Sequence, residues 1–438
     1  MLKRLLPQTG FARNVLTLFT GASIAQAIPI LISPILTRLY PVSDFAVLTL
    51  ITTLISLLGV IVCGRYEVAI GLPSDENEAK QLVYLSILIS ISVSTVAMVL
   101  VLFFNESIAT LFNNHTAASF ILFVPLISLM YGLNQALTYW NIRKRNYYLI
   151  SRTRVGQSVS NSLTSLSLGY SIFRINGLVI GNMLGHLSIL ILTYFGTKGR
   201  AEISFSKNDL NIEKLKHLAR KYSDLPLVNG LHAFTDMLQV TGVIFVISAV
   251  FESVTTGLYG LTMRILQAPL TMIGTSFSIV FYKEASEKVA NNQKITKLLR
   301  TTILTLAAIS FPVFLVIMII GPDLFAFVFG ESWRDAGVYA RILSPYLFMN
   351  FISSPVSHLP VILNKQREFF LLSLVGNILV LAGILIGAFV YSDFQIGLII
   401  VSISQVLYTG SLYYFIVFQE ITMIEGVLCV KLSISIVI

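Results

Sequence analysis

About twelve times along this chain the sequence turns apolar for about 20 residues, and no other feature constrains the fold as strongly. The runs are 15–37, 45–63, 82–104, 119–141, 155–173, 177–196, 227–251, 257–281, 301–320, 339–363, 369–390 and 394–418. A helix needs about 20 residues to cross the hydrocarbon layer, whereas a barrel strand needs about 10 with alternating polarity. These runs do not alternate, so each predicts a helix. Composition agrees: 55% of the 438 residues are apolar and 12% charged, with mean hydropathy +0.82. That balance excludes a soluble enzyme, a nucleic-acid-binding module and a disordered chain. The expected fold is all-α. It is a polytopic membrane protein of about twelve transmembrane helices, in two six-helix bundles around a central cavity.

The net charge of +9 reads as a topology signal in such a chain. With the N-terminus inside, about 25 of the Lys and Arg residues fall in cytoplasmic segments and 4 outside. Both termini are therefore expected in the cytoplasm. Ala25-Gln26-Ala27 resembles a signal-peptidase site, but the apolar stretch continues to Leu36, which favours an uncleaved first helix. Cys63 and Cys429 sit in apolar surroundings and form neither a disulfide framework nor a metal-ligand pattern.

The longest connection, 197–226, is basic, and Leu210–Tyr222 has the pattern of a surface amphipathic helix. Its cations suit either orientation or anionic lipid head groups. The connection divides the chain into a lobe over 1–200, a linker over 201–226, a second lobe over 227–418 and an apolar tail over 419–438. The halves echo each other at an offset of about 215 residues. Residues 37–50 match 248–261, and Arg65-Tyr66-Glu67 matches Tyr282-Lys283-Glu284. Asn161 matches Asn377, and Gly177-Leu178 matches Gly397-Leu398. Six helices per half imply a parallel repeat with a cleft between the halves.

Polar residues within spans mark surfaces that face protein or water. Asn229, His232, Asp236 and Gln239 form one stripe in span seven. Span eight carries Arg264 and Gln267, and span one carries Gln26. In span five Gln157, Asn161 and Thr164 share a face. Span ten holds Asn350, Ser353, Ser354, Ser357 and His358 among Pro345, Pro355 and Pro360, a pattern for a bent helix. Isolated amides and hydroxyls most simply join helices by hydrogen bonds. Asp236 and Arg264 are different, because an ionisable group at depth points to function unless the two form a permanent architectural pair. His186 reads as a packed core histidine. No HExxH, GxSxG or phosphate-loop pattern is present, so no enzyme is expected.

The segments 14–50 (ending TRLYPVSDFAVLTL) and 64–82 (GRYEVAIGLPSDENEAKQL) resemble the start of bacterial polysaccharide flippases, the O-antigen unit translocases of the MOP superfamily. RKRNYY (143–148) and NKQREFF (364–370) carry the same resemblance, which spans essentially the whole chain except the tail. It implies a V-shaped, two-lobe transporter in the bacterial cytoplasmic (inner) membrane, working by alternating access. The cargo would be an oligosaccharide on polyprenyl pyrophosphate, an O-antigen or capsule repeat unit. Arg264 would then attract the pyrophosphate, and Gln26, Asn161, Asn229 and Gln239 would meet sugar hydroxyls. Arg38 and Arg65, at opposite ends of the first hairpin, would meet the anionic head group at each mouth or act as interfacial anchors. With no nucleotide site in the sequence, the driving force would be an H⁺ or Na⁺ gradient, with Asp236 and His232 as ion-coupling residues. No cofactor or metal is expected beyond that ion. Expected partners are the lipid-linked oligosaccharide, membrane lipids, a polysaccharide polymerase and a chain-length regulator, with no nucleic acid. The alternatives are a multidrug antiporter of the same superfamily and a membrane polysaccharide polymerase. The polymerase would need a large outer loop, and no outer loop here exceeds about 20 residues.

Overall fold

The computed structural model describes residues 10–171, 176–200, 212–291, 293–354, 359 and 366–411. The expectations for Pro355, Ser357, His358, Pro360, the first part of the linker and the apolar tail concern residues outside this set. Over the described residues, each predicted span falls on helix. In chain order these are α1 (Gly10–Leu39), α2 (Val42–Ile61), a short α3 (Tyr66–Ala69) and α4 (Glu76–Leu111). Next come α5 (His115–Ile121), α6 (Val124–Arg143), α7 (Tyr147–Gly169), α8 (Gly177–Arg200) and α9 (Ile212–Lys221). A π-helical turn, Leu225–Gly230, leads into α10 (Leu231–Val250). Then follow α11 (Ser253–Ala290), α12 (Thr296–Phe329), α13 (Arg334–Ser353), α14 (Gln366–Phe389) and α15 (Phe394–Ser411).

The protein is thus an all-α polytopic membrane protein. Among the described residues nine helices are long and apolar enough to cross a membrane. Three predicted spans, on α7, α11 and α13, are not in that set, because polar and charged residues dilute them. Large apolar side chains such as Leu102, Phe103 and Phe104 on α4 point outward, as lipid contact requires. Predicted span four is two helices, α5 and α6, and Pro125 sits in the first turn of the second, where its missing N–H costs least.

The chain forms two compact units. The first comprises Met1–Leu261 and Phe327–Trp333. In it α7 packs against both α1 and α8, α6 against α4 and α8, and α2 against α6 and α10. Hydroxyls bind α7 to α1: Ser151 donates to the Thr17 carbonyl (2.8 Å) and Ser158 to that of Ala25 (2.6 Å). Trp333 is fully buried edge-on against Phe45 (4.8 Å), and its Nε1 donates to the Thr37 carbonyl at 3.2 Å.

The expected amphipathic helix is α9, but protein rather than lipid covers its apolar face. Leu215 and Leu218 lie in a cluster with Tyr66, Ile70, Leu82 and Trp140. Burying such a leucine contributes about 1.5–3 kcal/mol, enough to hold a ten-residue helix in place. Tyr66 Oη also donates to the Ala219 carbonyl (2.9 Å), and Lys221 pairs with Glu78.

The second unit comprises Thr262–Ala326 and Arg334–Ile438. Phe281, Ala285, Ile295, Leu299 and Leu359 form a buried cluster there. Thr262 Oγ1 donates to the Ala336 carbonyl at 3.0 Å. Helix α12 loses helical geometry at Ile320 (φ −116°, ψ 15°), next to Gly321 and Pro322, since Pro322 has no N–H for the helix ladder.

Candidate functional site

The polar face of α7 follows from its sequence, QSVSNSLTS over 157–165, which no lipid-facing helix could carry without cost. Packing between α1 and α8 removes that cost and turns Gln157 and Asn161, one helical turn apart, toward a cavity inside the first unit. The cavity holds about 610 Å³. Helix α1 contributes Gln26 to its wall, α6 Asn134, Gln135 and Tyr139, α7 Arg154, and α8 His186. Amides, hydroxyls and the Arg154 cation share the wall with Ala22, Ala25, Pro29 and isoleucines, and the polar groups supply a donor and acceptor set that matches sugar hydroxyls. Asn134 Oδ1 accepts from Thr193 Oγ1 at 2.9 Å, which fixes that amide.

A second cavity of about 230 Å³ also lies within the first unit. Tyr131, Gln135 and His186 line both, and Arg65, Asn182, Ser56 and Met237 line the smaller one. Arg65 reaches it through an unusual turn. Gly64 (φ 57°) and Arg65 (φ 62°) are both left-handed, which ends α2 and swings the chain into α3. Two residues on, Glu67 is 1% exposed. Its Oε1 accepts from Gln135 Nε2 at 3.2 Å and lies 3.8 Å from Arg65 Nη1. Its Oε2 and the Asn182 Oδ1 are buried, and among the described residues no neighbouring residue hydrogen-bonds either atom. Burial pushes the Glu67 carboxyl above the usual carboxylate range, against the opposing pull of its own backbone N–H, Arg65 and Gln135.

Of the residues singled out in the sequence, Gln26 and Asn161 meet in the larger cavity and Arg65 lines the smaller. Arg38 is exposed, and its guanidinium donates to the Pro34 (2.8 Å) and Phe327 (3.2 Å) carbonyls. Gln239 is half-buried on α10 and lines neither cavity. Asn229 falls in the π-helical turn, and His232 and Asp236 on α10, with side chains outside those described. Arg264 is half-buried on α11 in the second unit.

Sequence reasoning missed Tyr131, Gln135, Arg154 and Glu67. Tyr131, Asn134, Gln135, Thr138 and Tyr139 repeat at helical spacing in span four, a stripe as regular as that of span seven. Arg154 was absorbed into the charge count that sets orientation. His186 is not enclosed among apolar side chains alone: it opens onto both cavities, with its ring 6.0 Å from that of Tyr131.

A family model described as polysaccharide biosynthesis protein matches residues 35–338. No curated protein sequence matches significantly. Among solved structures the chain is similar to the lipid II flippase MurJ in an inward closed conformation. The TM-score is 0.72 at 13% identity, over 92% of this chain and 89% of that one. It is similar to an inward-facing multidrug resistance MATE family transporter of the MOP superfamily, with TM-score 0.69 at 13% identity, over 94% and 95% of the two chains. A MOP superfamily transporter from Pyrococcus furiosus gives TM-score 0.58 at 14% identity, over 94% and 96%. These likenesses establish a shared fold.

Proposed function

Since the chain belongs to the polysaccharide biosynthesis protein family, we propose that it is a flippase for an oligosaccharide carried on polyprenyl pyrophosphate. The reading takes the membrane to be the bacterial cytoplasmic membrane, with both termini inside and transport outward. The observation that carries it is the 610 Å³ cavity, walled in part by Gln26, Gln157, Asn161 and Arg154, in a protein whose helices expose large apolar side chains such as Leu102 and Phe103. Sugar hydroxyls exchange hydrogen bonds with water for hydrogen bonds with these amides, while the prenyl tail stays in the bilayer. Arg154 and Arg65 draw in the pyrophosphate, as does Arg264, by charge-assisted hydrogen bonds. Moving an anionic head group outward needs a driving force, and Asp236, with His232 four residues before it on α10, is the proposed site of ion coupling. The amide-rich lining disfavours a multidrug antiporter, whose cargo calls for an apolar cavity.

The test is reconstitution of the full chain in liposomes holding undecaprenyl-pyrophosphate-linked N-acetylglucosamine, read by exposure of the sugar to an enzyme on one side. The wild-type chain should flip the lipid, faster under an H⁺ or Na⁺ gradient. Arg264→Ala should abolish flipping while the protein still inserts, and Arg264→Lys should retain part of it. Gradient-driven export of a lipophilic cation without flipping would establish the antiporter instead.

A further inference from the structure

The group that orients the cavity's most shared amide sits behind the wall. Glu67 lines neither cavity, yet its Oε1 accepts from Gln135 Nε2 at 3.2 Å, and Gln135 lines both. A glutamine amide has one donating and one accepting end, which exchange by a flip. An oxygen that already faces the Arg65 guanidinium accepts rather than donates, so it holds the NH₂ end of Gln135 and turns the amide oxygen to the opposite side.

The fold does not need Glu67 for this stretch of backbone. Tyr66 Oη already ties α3 to the Ala219 carbonyl, and Arg143 Nη1 donates to the carbonyls of Ile70 (3.2 Å) and Pro73 (2.6 Å). A carboxylate this deep costs stability to bury, so a structural role is poorly served by it. We propose that Glu67 is a positioning residue for substrate recognition: it locks the Gln135 amide so that its oxygen accepts a hydrogen bond from a hydroxyl or amide N–H of the substrate where the two cavities share a wall. This deepens the transport reading and rests on it.

The test uses the full chain in proteoliposomes with undecaprenyl-pyrophosphate-linked N-acetylglucosamine as the probe. Glu67→Gln and Gln135→Ala should each raise the half-saturating concentration about tenfold, with a smaller effect on the maximal rate. Because one residue acts through the other, the double variant should match Gln135→Ala within about twofold. An unchanged half-saturating concentration in Glu67→Gln, or multiplicative losses in the double variant, overturns the proposal. No flipping by the wild-type chain denies the transport reading instead, and the contact is then tested without transport. Gln135→Glu sets two carboxylates face to face and should lower the melting temperature at neutral pH by several degrees, and adding Glu67→Gln should restore it. Failure to restore it overturns the positioning role.

Discussion

Two helical hairpins, α7–α8 and α14–α15, fall at matching places in the two sequence halves and use one packing device for different ends. In the first, a Cβ on Gly181 would stand 2.8 Å from the Asn161 carbonyl oxygen and would strike Ser165 Oγ. In the second, a Cβ on Gly387 would stand 2.6 Å from the backbone nitrogen of Gly397. Both pairs of helices therefore need glycine to approach as they do. Side chains beside the contact separate them. Next to Gly181, Asn161 and Gln157 are turned to a cavity. In the second hairpin the buried amide of Gln405 is consumed internally, donating to the Gly376 carbonyl at 2.8 Å. Close approach thus packs both hairpins, and in the first the amides beside the contact also line a cavity.

The largest expected effect comes from wedging each contact apart. Gly181→Val and Gly387→Val should each cost about 1–3 kcal/mol in thermal unfolding. Gly181→Val should also abolish flipping in proteoliposomes, because it displaces Asn161. Loss of flipping in Gly387→Val with normal flipping in Gly181→Val would reverse the comparison.

Milder changes sharpen it. Replacing Gln157 and Asn161 together by leucine should reduce flipping roughly tenfold, since each lost hydrogen bond is worth about 0.5–1.5 kcal/mol. The melting temperature should barely move. Asn377→Leu, at the matching place in α14, should leave flipping within about twofold of wild type, given that an isolated amide within a span most simply joins helices. Equal losses in both hairpins would show that the polar content of the first is not what binds cargo.

The smallest effect concerns pH and the matched segments Arg65-Tyr66-Glu67 and Tyr282-Lys283-Glu284. Burial raises the Glu67 carboxyl, so the folded chain holds that proton to higher pH than the unfolded chain does. The stability this supplies is present below about pH 4.3 and is lost as pH rises through the raised value. Glu67→Gln removes the titration, so its melting temperature relative to wild type should climb with pH across that window. Its sequence counterpart Glu284 is instead exposed on α11. A flat difference for Glu67→Gln would show that its backbone N–H, Arg65 and Gln135 together offset the burial.

Helix positions were legible because a membrane span must satisfy its own backbone, so length and hydropathy alone mark it. Gln26 and Asn161 were legible as polar residues inside spans, and the cost of placing such groups in lipid predicts that they face inward. Glu67 was not legible as a site residue, since it lies in a loop beyond span two, where a carboxylate is ordinarily solvated. Only the left-handed turn at Gly64 and Arg65 carries it inward to within reach of Gln135 on α6. The apolar stripe of α9 was plain in sequence, but its partner was not: Leu215 and Leu218 pack on Tyr66 and Leu82, from segments more than a hundred residues away. Helical periodicity tells on which side of an axis a residue lies. It carries no information about which other helix stands on that side, and that is what tertiary packing alone decided for the cavities, the buried carboxylate and the linker helix.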